Sequence, residues 1–230
     1  MTLVLALALV IPIGSRAEEP AHYTFSPAPP GTVTQSVVLY MAGQAMHSQW
    51  RAVASKKLVG SGSGTNFYQW YLSIYQIDGN VYKLRYQSPA NGAPLDKVTK
   101  AHGASMWFPL QELTIVGAGE FAHQTVDQLV VSSHQTGADC GAATVTVFGY
   151  NYHSNKVVRN VSVDNGCSLT PKIVRGTNGA NDSLTLTGPY YNATAAMCCP
   201  TKPNASATLK FNGKKWVESP NYYKVTQGSN

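Results

Sequence analysis

The sequence predicts a mainly β protein built of antiparallel meanders, arranged as a propeller-like stack or as a β-sandwich and stabilised by disulfides. Three observations indicate this class. Apolar and polar residues alternate with the period of a strand from residue 65 onward, two later segments repeat one order of elements, and four cysteines occur. Charged residues make up only 12% of the chain and hydrophobic residues 43%, which argues against a disordered protein or a coiled coil.

The first 17 residues predict a secretory signal peptide. Residues 3–13 form an apolar run that is too short to span a bilayer, and a small-x-small cleavage signal follows at residues 15–17. We therefore expect a secreted or periplasmic protein without a transmembrane segment. Residues 18–34 are rich in proline and predict an extended lead-in, after which residues 35–230 form a single β-rich domain.

Residues 35–58 fit two structures. Val37, Met41 and Ala52 follow a helical spacing, so one N-terminal helix is one expectation. The apolar run at residues 37–40 suits a strand equally well, and the pattern by itself does not choose between them.

An Asp78-Gly79 pair between two alternating segments, residues 68–77 and 80–88, predicts a β-hairpin with a two-residue turn. In that register four tyrosines share one face and form two cross-strand pairs, Tyr75 with Tyr82 and Tyr71 with Tyr86. Such a face is either core, because tyrosine suits half-buried strand positions, or a platform on which a ligand stacks.

Two later segments share an order of elements. Each has an Asp-led strand, a loop with cysteine, an Ala-Thr-led strand, a tight turn and a return strand, and they start at Asp127 and Asp182. The period of roughly 55–65 residues is typical of a meander or blade repeated in tandem.

The cysteines are an even set in a chain that we expect to be exported, which predicts two disulfides. They are Cys140, Cys167, Cys198 and Cys199. If Tyr150 and Val157 face each other across the loop at residues 151–156, Cys140 and Cys167 also fall opposite each other. Three disulfide connectivities nevertheless stay open.

The segment VGAGEFAHQTVDQLVV, residues 116–131, resembles the FG-GAP/VCBS-type repeat of integrin-like β-propellers, and the resemblance implies a propeller blade. The matching positions are Gly119, Phe121, Asp127, Leu129 and Val130. That family carries a calcium loop, but Glu120, Ala122 and Gln124 stand in place of its carboxylate or amide residues. We therefore assign no metal and no cofactor.

The tail is similar to exported bacterial proteins of the LppP/LprE type. The resemblance, over residues 188–216, is carried by Gly188-Pro-Tyr-Tyr191, by Cys198-Cys199-Pro200 and by the aromatic hairpin at residues 211–216. It implies a cell-envelope protein of unassigned activity. The lipobox cysteine of that type is missing, so we expect no lipid anchor.

The sequence predicts an exported non-catalytic envelope or extracellular protein, a binding or structural module whose partner is a cell-surface polymer or a protein. No catalytic motif occurs, so we assign no catalytic residue. The net charge of +6 is dispersed, which excludes a nucleic-acid footprint but suits weak attraction to anionic surface polymers. The alternative is a secreted hydrolase acting on cell-wall or polysaccharide material, and the oligomeric state is left open.

Overall fold

The computed structural model describes residues 23–41, 49–62, 65–88, 110–122, 125–136, 142–192 and 200–228. These residues form fourteen strands and no helix, which confirms a mainly β protein with antiparallel sheets. The strands are β1 (Thr24–Ser26), β2 (Thr32–Leu39), β3 (Trp50–Gly62), β4 (Thr65–Asp78), β5 (Val81–Gln87), β6 (Leu110–Gly119), β7 (Gln128–Thr136), β8 (Ala143–Asn151), β9 (Lys156–Asn165), β10 (Thr170–Val174), β11 (Ser183–Tyr190), β12 (Lys202–Phe211), β13 (Trp216–Ser219) and β14 (Lys224–Gln227).

Three sheets follow one another along the chain, and each contains a four-stranded antiparallel meander. Sheet I has the order β1-β5-β4-β3-β2, in which β1 pairs parallel to β5. Sheet II has the order β14-β9-β8-β7-β6, and sheet III has the order β10-β11-β12-β13. The two predicted repeats are the meanders β7-β8-β9 and β11-β12-β13, so the strand order that the sequence indicated is observed.

The helix expected over residues 35–58 is wrong for the described part of that segment. Residues 32–39 and 50–62 are the paired strands β2 and β3, joined in register from Thr32–Lys56 to Leu39–Trp50. Burial in β3 has a period of two, because Ala52 and Ala54 pack in one core cluster and Val53 in another. Residues 42–48 lie outside the described residues, as does the predicted signal peptide.

Sheet II is covered on both faces. One face joins sheet I in a core that contains Trp50, Leu72 and Ile74 from sheet I with Leu129 and Val131 from sheet II. The other face joins sheet III in a second core, whose members from the two sheets are Val130, Val145, Val147, Val161, Val163, Leu184, Leu186, Leu209 and Trp216. The alternation of Leu129, Val130 and Val131 between two cores explains why β7 reads as an unbroken apolar run.

The aspartates that begin the two repeats fasten neighbouring sheets together by the same pair of hydrogen bonds. Tyr40, just after β2, donates its N–H to Asp127 Oδ2 at 2.8 Å, and Asp127 N–H donates to the Tyr40 carbonyl at 3.1 Å. Glu120, just after β6, donates its N–H to Asp182 Oδ2 at 2.9 Å, and Asp182 N–H donates to the Glu120 carbonyl at 3.0 Å. Each aspartate therefore sets the position of one sheet against the preceding one.

Candidate functional site

A cleft of about 380 Å³ opens where two hairpin turns, β8–β9 of sheet II and β12–β13 of sheet III, lie at the same end of the two sheets. We call it the hairpin cleft. It is lined by Ala122, Val126, Gln128, Tyr150, Asn151, Tyr152, His153, Val158, Asn160, Phe211, Lys214, Lys215, Trp216, Gln227 and Gly228. These residues come from five separate stretches of the chain, so the cleft exists only in the folded protein.

The two turns that frame the cleft are built by the same local device. Asn151 Oδ1 accepts hydrogen bonds from the N–H groups of His153 and Ser154, at 2.9 and 3.0 Å. Asn212 Oδ1 accepts from the N–H groups of Lys214 and Lys215, at 3.1 and 3.0 Å. An Asn side chain that bonds the backbone two and three residues on holds a turn in one conformation. Both rims of the cleft are therefore fixed by hydrogen bonds within their own turns.

Aromatic side chains stand on both walls. Tyr150 and Tyr152 meet edge to face with centroids 5.2 Å apart, and the Tyr150 hydroxyl bonds Asn155 within the turn. On the opposite wall, Phe211 and Trp216 have centroids 5.9 Å apart. Tyr152 is 51% exposed, so its ring offers surface to a bound molecule.

The polar group that marks the cleft is the carboxamide of Gln128. Gln128 begins β7, pairs with Gly119 and is only 7% exposed, yet its Oε1 has no hydrogen-bond partner among the described residues. A buried acceptor left unpaired costs about 1–3 kcal/mol, so native proteins seldom keep one without a reason. A ligand that brings a donor into the cleft supplies the missing partner.

The other amide groups of the cleft differ in how they are engaged. Gln227 is occupied, because its Oε1 accepts from the Trp216 N–H at 3.0 Å and its Nε2 donates to the Trp216 carbonyl at 2.9 Å. This pair of hydrogen bonds joins β14 of sheet II to β13 of sheet III and supports the wall that contains Trp216. Asn160 lies beside Gly149, whose missing side chain leaves room for the Asn160 amide.

The charge of the cleft is positive. Lys214 and Lys215 are exposed on its rim, and no carboxylate is among the described residues that line it. Burial raises the pKa of the Tyr152 hydroxyl, and the neighbouring Tyr150 raises it further. Tyr152 therefore stays a neutral hydroxyl at neutral pH, able to donate a hydrogen bond.

The four tyrosines predicted as a stacking platform do not share one exposed face. Tyr75 and Tyr82 are 0% exposed and pack with Val53, so neither ring is open to a ligand. Tyr86 packs instead against the core between sheets I and II, while Tyr71 is half-buried and donates to Gln69 Oε1 at 3.1 Å.

The register of the β4–β5 hairpin explains this separation. The two-residue turn is Gly79-Asn80 rather than Asp78-Gly79, so Tyr75 lies opposite Leu84 and Ile77 lies opposite Tyr82. A bulge then places Ile74 opposite Tyr86 and leaves Arg85 as the extra residue. One added residue reverses the face of every side chain beyond it, which moves Tyr86 to the opposite face from Tyr82.

A larger cleft of about 560 Å³ lies between sheets I and II, and several of its polar side chains bond one another or the backbone. Thr144 Oγ1 donates to Asp164 Oδ1 at 2.8 Å, and the Thr146 and Ser162 hydroxyls lie 3.1 Å apart. Ser88 Oγ accepts from the Leu72 N–H at 2.9 Å. The hairpin cleft, with its unpaired acceptor, is therefore the stronger candidate for a binding site.

Of the four cysteines, only Cys167 falls within the described residues. It is 2% exposed, and its Sγ lies 3.0 Å from the Tyr191 hydroxyl. Tyr150 does pair with Val157 as expected, but a bulge between Val147 and Phe148 shifts the register farther along, where Ala143 pairs with Asn165. The expected Cys140–Cys167 opposition lies outside the described residues.

No family model, curated protein or solved structure matches the chain. In the described part of the chain, no helix is long and apolar enough to cross a membrane, and no three His, Cys, Asp or Glu residues are grouped to hold a metal ion. The candidate site therefore rests on the geometry of the cleft itself.

Sequence reasoning did not find Gln128, Tyr152 or Trp216 as a site. A signal for the two rims was nevertheless present, because an aromatic residue followed by Asn starts each turn, as Tyr150-Asn151 and as Phe211-Asn212. No local pattern could indicate that these turns meet Gln128, which comes from the start of another strand.

Proposed function

We propose that this protein is an exported, non-catalytic module that binds a polymer of the cell surface, a saccharide chain, in the hairpin cleft. The observation that carries the proposal is Gln128, a buried carboxamide whose Oε1 lacks a donor and whose side chain lines the cleft. A sugar hydroxyl is a donor of suitable size for such an acceptor.

The walls of the cleft suit the same ligand. A sugar ring presents apolar C–H faces and polar edges, and the cleft pairs exposed aromatic surface at Tyr152 with amides at Gln128 and Asn160. Small-molecule sites commonly combine apolar walls with a few placed polar groups in this way. Because the cleft opens at the ends of two hairpins, a long chain can pass across it.

Export and disulfides complete this proposal. The predicted signal peptide over residues 1–17 favours the periplasm or the outside of the cell. Support for the pairing comes from Cys167, which is buried, and the other three cysteines lie outside the described residues. Peptide mapping without reduction identifies the partner, and four free thiols in the native protein would refute the pairing.

We further propose that the three meanders are blade-like units of an open, propeller-like stack. They follow one another in chain order and pack face to face, and the same reciprocal bonds recur at Asp127 and Asp182. This repetition favours tandem units over a sandwich of two dissimilar sheets.

The deciding experiment compares binding and stability in Gln128→Leu. The substitution keeps the approximate volume and removes the unpaired acceptor, so we expect equal or higher thermal stability together with loss of binding on a glycan array. Lower stability with unchanged binding would show that Gln128 has a structural role and would overturn the site.

Tyr152→Ser and Tyr71→Ser form a matched pair of aromatic truncations. Tyr152 lies in the cleft and is half exposed, so its loss should abolish binding with little change in melting temperature. Tyr71 lies in sheet I, outside the cleft, so its replacement should not affect binding. The same incubations are assayed for new reducing ends. Their appearance would favour the alternative function, a secreted hydrolase, over a non-catalytic binding module.

A further inference from the structure

We infer that the hairpin cleft selects a saccharide that carries negative charge, a carboxylate or phosphate on a hydroxylated ring. The inference rests on the proposed function and names its ligand class. It follows from the arrangement of two lysines, one buried acceptor and an exposed aromatic ring around one opening.

The two lysines of the rim lie in a turn that is fixed by its own hydrogen bonds. Asn212 Oδ1 accepts from the main-chain N–H of both Lys214 and Lys215, and Asn212 N–H donates to the Lys215 carbonyl at 3.0 Å. Gly213 takes a φ of +91°, which permits this tight turn. Both residues line the cleft.

Neither lysine is paired with a carboxylate of the described residues. Lys83 and Arg175, by comparison, pair with Asp78 and Asp182. Since the described lining of the cleft also lacks Asp and Glu, an anion entering it meets attraction without a competing negative group.

The cleft separates the recognition of charge from the recognition of the ring. Lys214 and Lys215 stand on the sheet III rim, whereas Tyr152 stands on the sheet II rim and Gln128 lies at the base of that wall. A free inorganic anion would engage the lysines alone. A charged sugar engages the lysines, the aromatic ring and the acceptor together. It should therefore bind more tightly than either an inorganic anion or a neutral sugar.

The test measures binding by calorimetry with three probes. The first is the galacturonic acid hexamer, the second is the same hexamer after reduction of its carboxyl groups to neutral galactose, and the third is poly(glycerol phosphate), which has charge and hydroxyls but no ring. We expect the charged hexamer to bind at least about tenfold more tightly than the neutral one at low salt, and the ringless polymer to bind weakly. Raising the salt should narrow the difference, because surface charges are screened.

A charge-matched pair of double variants locates the effect. Lys214→Gln/Lys215→Gln should lower affinity for the charged hexamer about three- to tenfold and leave that for the neutral hexamer unchanged. Lys172→Gln/Lys210→Gln removes the same charge from exposed positions in sheet III outside the cleft and should have no effect.

The possible failures are distinct. Equal affinity for the charged and neutral hexamers, lost in Gln128→Leu, would overturn the charge selection and leave the saccharide site standing. Tight binding of poly(glycerol phosphate) that does not depend on Tyr152 would show a simple anion site. It would overturn the inference that the cleft recognises a sugar ring. Absence of binding to all three probes would overturn this inference, and the glycan array then decides the proposed function separately.

Discussion

The side-chain amide of Asn160 occupies the space that a Cβ atom of residue 149 would take, and Gly149 leaves that space empty. The two residues belong to neighbouring strands of sheet II, where the bulge between Val147 and Phe148 brings them side by side. Gly149 therefore acts on the cleft through Asn160, whose amide it allows to lie against β8.

Gly149→Ala is expected to weaken binding with little effect on folding. The amide is the end of a flexible side chain and can turn aside, so the unfolding free energy should fall by only about 1 kcal/mol. Binding should weaken about fivefold if one ligand hydrogen bond is lost. Asn160→Ala should give the same loss, and the double variant should lose no more than either single one. Additive losses would contradict the coupling.

Asp182→Asn is expected to destabilise the protein and to reduce its sensitivity to acid. Burial acts to raise the pKa of Asp182, but N–H groups of Gly176 and Glu120 and the Arg175 guanidinium outweigh it and hold the pKa below its usual value. A carboxyl group whose pKa is lowered on folding stabilises the protein at pH values above its ordinary pKa of about 4. That stabilisation is lost as the pH falls through the pKa of the folded state. The variant should lose about 1–3 kcal/mol at neutral pH and show a flatter curve below pH ~4.

Glu218→Gln is the control of opposite sign for this pH effect. Burial raises the pKa of Glu218, although the N–H groups of Tyr222 and Tyr223 bond its carboxylate and act to lower it. Because its pKa is raised on folding, ionisation of Glu218 makes the folded state less stable as the pH rises through that pKa. Replacing the carboxyl group with an amide should therefore leave the sensitivity of the protein to acid undiminished. Urea unfolding at several pH values measures both variants, and parallel curves for Asp182→Asn and the parent would contradict the assignment.

Tyr223→Phe is expected to cost about 1–3 kcal/mol, because it removes the donor that serves two buried carbonyls. The Tyr223 hydroxyl lies 3.0 Å from each of the Gly188 and Ala205 carbonyl oxygens, beside the bulge of β11. Burial, chiefly, raises the pKa of this hydroxyl to about 12, so it keeps its proton. Tyr222→Phe, which loses only an exposed contact to Lys202, should change the melting temperature little. Equal effects of the two variants would refute the prediction.

Tyr75→Ala is expected to lower the unfolding free energy by about 3–5 kcal/mol, as for other buried aromatic side chains. Tyr75 is 0% exposed and meets the Phe25 ring edge to face, with centroids 4.8 Å apart. Differential scanning calorimetry of this variant beside Tyr71→Ala separates core from surface. A melting temperature unchanged in Tyr75→Ala would mean that sheet I leaves this face open.

The sequence by itself indicated the β class, the hairpin near Asp78-Gly79 and the two meanders that start at Asp127 and Asp182. Each of these is encoded locally, by alternation of apolar residues, by turn residues and by a short polar residue before a strand. The same local signals left residues 35–58 open, because a few small apolar residues satisfy both periods. Pairing with β4 and burial on two faces settled the described residues 50–58 as strand.

Only the tertiary structure decided which side chains share a face and where a site lies. The bulge at Arg85 moves Tyr86 away from Tyr82, and no periodicity in the sequence marks it. The hairpin cleft joins Gln128, Tyr152 and Trp216, which are far apart in the chain and meet because sheets II and III pack together. Local patterns fix the face of a strand, whereas the meeting of distant segments depends on long-range packing, and this is why the sequence indicated the architecture but not the cleft.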